Sequence, residues 1–264
     1  MKAYVDFEIN KIQELRVIHA IIEDGSVIYI PENQKIKFKS LVDKFDLVLS
    51  HENLSEVKLS SLITINHEIP ETKIGDMSCP LIFPIGIVKY LYENWSINRI
   101  YKFSFAGLIT PARHIVIQNW LTNSLKSNKK LDYNSSSIKV KMIKKLYQIL
   151  FKNKTPVFRY EDLYISNSLK GRVFPGKSWD DNYYDFLLKS KFVLCPSGDF
   201  IWSYRFFETI LSGAIPIIEE YCDVYSGYRF KYLSDDATQF IYNLDDARFN
   251  YDLCKSRITI KGKL

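Results

Sequence analysis

Apolar residues recur along the first part of the chain in two periods. Ile12, Leu15, Ile18 and Ile22 form one helical stripe. Asn10 stands where a cap belongs, Gln13 stands in the answering position, and Gly25 follows the last turn. This predicts a strand over Lys2–Ile9, a helix from Asn10 to Asp24, and a strand over Ser26–Ile30 ended by Pro31. A short helix is expected over Phe38–Phe45. The apolar runs Asp46–Ser50 and Leu62–Ile65 read as buried parallel strands. Cys79–Gly86, with Pro80, Pro84 and Gly86, reads as a crossing segment, and a helix or linker follows through Tyr90 and Trp95.

The same grammar restarts after Asn98. Ile100–Phe105 is a predicted strand, Ala106-Gly107 a turn, and Pro111–Ser124 a helix with Thr110 as its cap and Pro111 at its first position. Ser127–Ser137 is polar and loop-like, and Ile138–Phe151 is a basic amphipathic helix. A strand follows at Val157–Tyr160, then a helix over Trp179–Ser190 leading into a strand at Phe192–Cys195. Tyr204–Ser212 is a helix closed by Gly213, Ala214–Ile218 a strand, and Thr238–Leu253 is partly helical. Repeated β-α-β alternation predicts an α/β chain of two domains, residues 1–98 and 99–264.

Composition narrows the class. With 264 residues and 47% hydrophobic content, the chain can bury a sizeable core. The net charge of +6 is local: Lys126 to Lys154 holds nine lysines, no arginine and one acid, Asp132, which makes +8 and leaves −2 elsewhere. That stretch is either a solvated helix face with a loop, or an anion-attracting surface able to touch a membrane. Cys79, Cys195, Cys222 and Cys254 show no metal-type spacing, and Cys195 reads as a buried thiol. Met1–Asn10 has no signal-peptide character, and no run is apolar enough to span a membrane. A cytoplasmic protein is therefore expected.

The chemistry concentrates in Lys191–Glu220. A buried strand ends at Pro196, a tight Ser197-Gly198-Asp199 loop follows, and a helix starts near Trp202 or Ser203. Ligands of open parallel sheets bind at such strand ends, and helix N-termini favour anions. Phe206, Phe207, Ile210 and Leu211 make the apolar side of this helix. Arg205, Glu208, Thr209 and Ser212 make the polar side, with Glu208 expected to be partly solvent-facing. Arg205 supplies a fork for phosphate oxygens and Glu208 two acceptors for ribose hydroxyls. Taken alone, the two residues read as an ordinary surface ion pair.

The segments SKFVLCPSG and YRFFETILSGAIPII resemble the exostosin-type glycosyltransferase signature, a KFxLxPxG strand followed by RFxExxxxGxxPV. IYKFSFAGLITPAR, Ile100–Arg113, is similar to the strand and FxG loop that open that family's C-terminal domain. The resemblance implies a GT-B fold: two Rossmann-like parallel-sheet domains facing a cleft, the N-terminal one reduced. It implies an inverting, metal-independent glycosyltransferase moving a sugar from a nucleotide-diphosphate sugar to a hydroxyl of a glycan or glycoconjugate. By position, Glu208 would hold the donor ribose and Arg205 the diphosphate. Ser197, Gly198 and Ser203 would line the donor loop, and Gly107 and Arg113 would face it from the first strand of the domain. The N-terminal part is short for the family.

An inverting transfer needs a base. His51-Glu52 and His67-Glu68 each follow an apolar run expected to be a strand, which makes all four residues candidates, beside the reading that they are ordinary loop residues. Asp180-Asp181 and Asp235-Asp236 are adjacent rather than spaced by one residue, so no Asp-x-Asp metal element is formed, and neither metal nor other cofactor is expected. Two other readings stay open: a catalytically inactive module of the same fold that binds sugars or a partner, and a nucleic-acid-binding protein. The second is disfavoured because the basic run holds no Arg and only Tyr133, Tyr147 and Phe151 as aromatics.

Overall fold

A computed structural model describes residues 1–50, 52, 56–131, 142, 146, 156–167, 178–260 and 262. The chain forms two compact units. One comprises Met1–Glu93, Val173–Asp180 and Leu253–Leu264, the other Asn94–Arg172 and Asp181–Asp252. The expected basic helix Ile138–Phe151 lies outside the described residues except for positions 142 and 146.

In the first unit, β1 (Lys2–Tyr4) and β2 (Val27–Tyr29) pair in parallel, joined through α1 (Ile12–Glu23). The helix starts one residue later than Asn10 predicts. The Glu14 carboxylate takes the free amides of Asn10 at 2.7 Å and Lys11 at 2.9 Å, so Lys11 is the cap. Gln13 is buried instead, donating to the Ile82 carbonyl at 3.3 Å. Gly25 ends the helix at φ +90°, where a side chain would be strained. The expected strand over Lys2–Ile9 stops at Tyr4 because a side chain takes over its hydrogen bonding. Gln34 accepts from the Ile9 amide at 2.8 Å and donates to the Phe7 carbonyl at 2.9 Å.

Two expectations for this unit fail. After α2 (Glu32–Lys35) and α3 (Lys39–Phe45), Asp46 turns the chain at φ +51°. Among the described residues the run Asp46–Ser50 then makes one bridge, Tyr29 to Ser50, and Val48 is 81% exposed. Leu62–Ile65 does contain a strand, β3 (Ile63–Asn66), but it pairs antiparallel with β4 (Glu71–Ile74), which pairs antiparallel with β5 (Met77–Cys79). Alternate residues of β3 are exposed, and a sheet with one wet face is ordinarily antiparallel. The unit thus holds a parallel pair and a separate meander rather than one parallel layer. It continues into α4 (Ile85–Glu93), whose first turn donates from the Gly86 amide to both Glu23 carboxylate oxygens, at 3.0 and 3.2 Å.

The second unit is built on β6 (Tyr101–Gly107), β7 (Val157–Tyr160), β8 (Leu163–Asn167), β9 (Ser190–Cys195), β10 (Ile215–Ile218) and β11 (Lys231–Tyr232). They form one sheet in the order β11-β10-β9-β6-β8-β7, parallel except for the edge strand β7. Its helices are α5 (Pro111–Asn123), α6 (Asp181–Leu188) and α7 (Tyr204–Leu211), and α8 (Leu244–Ile258) belongs to it as far as Asp252. The core is aromatic and aliphatic: Phe103, Phe105, Phe192 and Leu194 from the central strands against Ile117, Trp120 and Leu121 of α5. Arg99, only 7% exposed, donates to the carbonyls of Leu188, Ser190 and Ser212 at 3.0, 2.7 and 2.9 Å. It thereby satisfies the ends of α6 and α7, where helix carbonyls lack partners.

Candidate functional site

The order of the parallel strands fixes where a ligand crevice belongs. The strand first in the chain, β6, lies between the second, β8, and the third, β9, and β10 and β11 follow outward from β9. The winding therefore reverses between β6 and β9, and in open α/β sheets the crevice lies at the carboxyl ends of those two strands. Both ends lead into helices that start there. After β6, Thr110 caps α5 by accepting from the Arg113 amide at 3.3 Å, with Pro111 in the first turn. After β9, residues 196–203 lead into α7, whose cap position is Ser203.

Two arginines converge on the carboxyl ends of these strands. Arg113 donates through Nε to the Ser197 carbonyl at 3.3 Å and through Nη1 to the Leu108 carbonyl at 3.2 Å, tying the β6 loop to the β9 loop. Arg205 donates through Nε to the Ala106 carbonyl at 2.8 Å and lies over the Phe105 ring, 4.6 Å from its centre. Among the described residues neither guanidinium has a carboxylate in ion-pair contact, and Arg205 Nη1 is buried without a hydrogen-bond partner. Burial lowers the Arg113 pKa from the usual arginine value, the Arg205 charge lowers it further, and Asp199 opposes them. The two guanidiniums thus lie near enough for their charges to repel, and an anion between them would relieve that repulsion.

The glycines of both loops make room for these side chains. A Cβ on Gly107, at φ +133°, would stand 2.6 Å from Arg205 Nη2, and one on Gly198 would stand 2.5 Å from Arg113 Nη2. Each glycine therefore serves the placement of an arginine. The Ser197 amide is held by Glu219 Oε2 at 3.0 Å. Ser203 gives its amide to the Tyr225 phenol at 2.9 Å and stands at the α7 N-terminus. Five of the seven donor-side candidates, Gly107, Arg113, Ser197, Gly198 and Arg205, are thus tied into one cluster, and Ser203 stands at the head of the same helix.

Glu208 corrects one expectation. It is 2% exposed rather than partly solvent-facing, accepting from the Tyr183 phenol at 2.6 Å and the Tyr184 phenol at 3.3 Å. Thr209 and Ser212, expected on the polar side of α7, are fully buried. The helix is enclosed because α6 supplies tyrosines over the face that sequence polarity alone assigns to water. Cys195 is the buried thiol expected, its pKa pushed up to about 11, chiefly by burial.

The base candidates belong to the first unit, and His51 lies outside the described residues. Glu52 is exposed, with its carbonyl accepting from the Ser50 hydroxyl at 3.0 Å. His67 and Glu68 occupy the β3–β4 turn, where Asn66 Oδ1 accepts from the Glu68 amide at 2.9 Å. They therefore follow a hairpin strand, not a parallel strand end. His67 is half-buried, and burial first, then the Lys11 charge, lowers its pKa, with Glu14 opposing.

Among the described residues no three His, Cys, Asp or Glu side chains gather as a metal site, and no helix is long and apolar enough to cross a membrane. Sequence reading missed Tyr183, Tyr184, Tyr225 and Glu219. Only Glu219 carried a signal, an acid directly after the apolar run 214–218. A family model described as Exostosin GT47 domain matches residues 72–226, more than half of the chain. No curated protein and no solved structure matches.

Proposed function

Since the chain belongs to the exostosin GT47 family, and so is a glycosyltransferase, we propose that the β6–β9 crevice binds the diphosphate of a nucleotide-sugar donor. The observation that supports this is the pair Arg113 and Arg205, two guanidiniums in one crevice with carbonyls but no carboxylate against them among the described residues. As the glycosidic bond breaks, negative charge grows on the leaving diphosphate. A fixed cation aimed at that charge lowers the barrier more than it strengthens ground-state binding.

In this reading Arg205 meets the leaving group and Arg113 holds the loop while adding charge. Gly107 and Gly198 keep the approach open, and Ser197 and Ser203 line it. Glu208 acts from beneath, through Tyr183 and Tyr184, and reaches a ribose only if the phenols yield. The acceptor is a hydroxyl of a glycan or glycoconjugate, and its proton goes to a base, for which His51, Glu52, His67 and Glu68 are the candidates.

A thermal-shift series with UDP, GDP, CDP and inorganic pyrophosphate tests the donor site. A ligand at a hundred times its dissociation constant stabilises by about 2.7 kcal/mol. The shift is expected for one nucleotide and is expected to vanish in the double variant Arg113→Ala, Arg205→Ala. An unchanged shift in that variant rejects the site.

A further inference from the structure

We infer that Tyr221, Phe230 and Tyr232 form an aromatic platform that holds an uncharged acceptor chain, away from its reacting hydroxyl, and turns polyanionic glycans away. The inference rests on the crevice and acceptor readings above and adds a subsite for the rest of the acceptor.

The aromatic residues of the segment 219–236 fall into two sets. Tyr225 and Tyr228 are buried and pack on Phe206 of α7, the Tyr225 ring stacked on it at 3.9 Å. Tyr221 and Tyr232 are 44% and 36% exposed, and Phe230 is half-buried. The Phe230 ring lies 6.5 Å from the Tyr221 ring and 5.4 Å from the Tyr232 ring, centre to centre. Its inner contacts are Phe206 at 6.2 Å and Tyr225 at 6.4 Å. The three outer rings are therefore one contiguous patch seated on the core. The backbone beneath them is fixed, because Tyr232 pairs with Ile218 and its amide donates to Asp235 Oδ2 at 2.8 Å. Exposed rings in contact with one another mark a binding surface.

The sheet puts this patch on the side where the crevice lies. Tyr232 ends β11 and Tyr221 follows the end of β10 by three residues, so both stand at carboxyl ends, as the β6 and β9 loops do. β11 is two strands outward from β9, about 10 Å at the usual strand spacing. An acceptor with its hydroxyl at the crevice can lay its next sugars over the rings. A pyranose offers an apolar C–H face to an aromatic ring and hydroxyls to water and to the phenols.

Charge selects among glycans. Residues 219–236 hold five acids, Glu219, Glu220, Asp223, Asp235 and Asp236, against two bases, a net −3. Both bases are engaged elsewhere: Arg229 pairs with Asp246, and Lys231 lies over the Phe240 ring, 5.6 Å from its centre. A carboxylated or sulfated chain meets like charge here, and an uncharged chain does not.

Titration calorimetry on the full chain tests this with hexasaccharides of glucose, xylose, mannose and galactose, and with hexagalacturonate as the acidic probe. The wild type is expected to bind at least one neutral hexasaccharide, and hexagalacturonate at least ~10-fold more weakly. Tyr221→Ala with Tyr232→Ala is expected to weaken the neutral chain at least ~10-fold, the scale of two lost ring contacts, with the nucleotide thermal shift unchanged. Tyr221→Phe with Tyr232→Phe keeps both ring faces and is expected to retain most of the affinity. Tyr92→Ala, exposed on α4, is expected to bind as wild type. The inference fails if no neutral hexasaccharide binds, or if hexagalacturonate binds as tightly. It fails also if the alanine pair binds like wild type, or if the phenylalanine pair loses as much as the alanine pair. Nucleotide binding weakened together with glycan binding would make the rings part of the donor site and rejects it too. Glycan binding that the alanine pair loses, in a protein showing no nucleotide shift, rejects the donor-site reading and leaves the platform standing.

Discussion

The Tyr183 phenol donates to Glu208 Oε2 at 2.6 Å, and this bond turns an apparent surface acid into a buried one. Glu208→Ala is therefore expected to cost stability. It removes the charged acceptor of the Tyr183 and Tyr184 hydroxyls, and a hydrogen bond to a charged group contributes about 1.5–3 kcal/mol. Denaturant unfolding of Glu208→Ala and of Tyr183→Phe checks this. Wild-type stability in Glu208→Ala rejects the structural role.

Arg205 is expected to act on kcat more than on nucleotide affinity. Arg205→Ala should lower kcat by about 10²–10³-fold, the scale of losing one donor to developing charge. Arg205→Lys should recover only part of this, because an ammonium has no planar fork to span Ala106 and a phosphate oxygen together. Steady-state kinetics beside equilibrium nucleotide binding separates the two effects. Equal losses in kcat and affinity would make Arg205 a ground-state binder only.

Transfer is expected to survive EDTA. Arg113, Arg205 and the amides that open α7 already bring positive charge to the proposed diphosphate position, which lessens the demand for a divalent ion. Assays with EDTA, and with manganese or magnesium added back, decide this. Activity lost and then restored by the ion would assign the charge to a metal.

His67, as base, is expected to set the acid limb of the pH profile. Burial lowers its pKa, so the ring stays neutral as pH falls to the ordinary imidazole value of about 6.5, and activity should decline only below that. His67→Ala should reduce transfer by about 10²–10⁴-fold with nucleotide binding intact. A profile and rate unchanged in His67→Ala would move the search to His51, Glu52 and Glu68.

The stretch from Ser190 to Ile218 was legible in the sequence because its signals are local. The buried strand, the Pro196–Gly198 break, the helix from Tyr204 and the closing Gly213 at φ +73° are set by residues a few positions apart. Thr110 and Pro111 opening α5 are legible for the same reason. Pairing partners are not encoded locally. Leu62–Ile65 reads the same as a parallel or an antiparallel strand, and only the return of Glu71–Ile74 beside it decides. The site itself needed the tertiary fold. Arg113 reaches Ser197 across 84 residues and Arg205 reaches Ala106 across 99, brought together because β9 pairs with β6. Sequence alone determined which residues carry charge and where the turns fall. The strand order decided which charges meet, and the tyrosines of α6 decided that Glu208 is enclosed, because burial depends on what packs against a helix face and not on that face's own polarity.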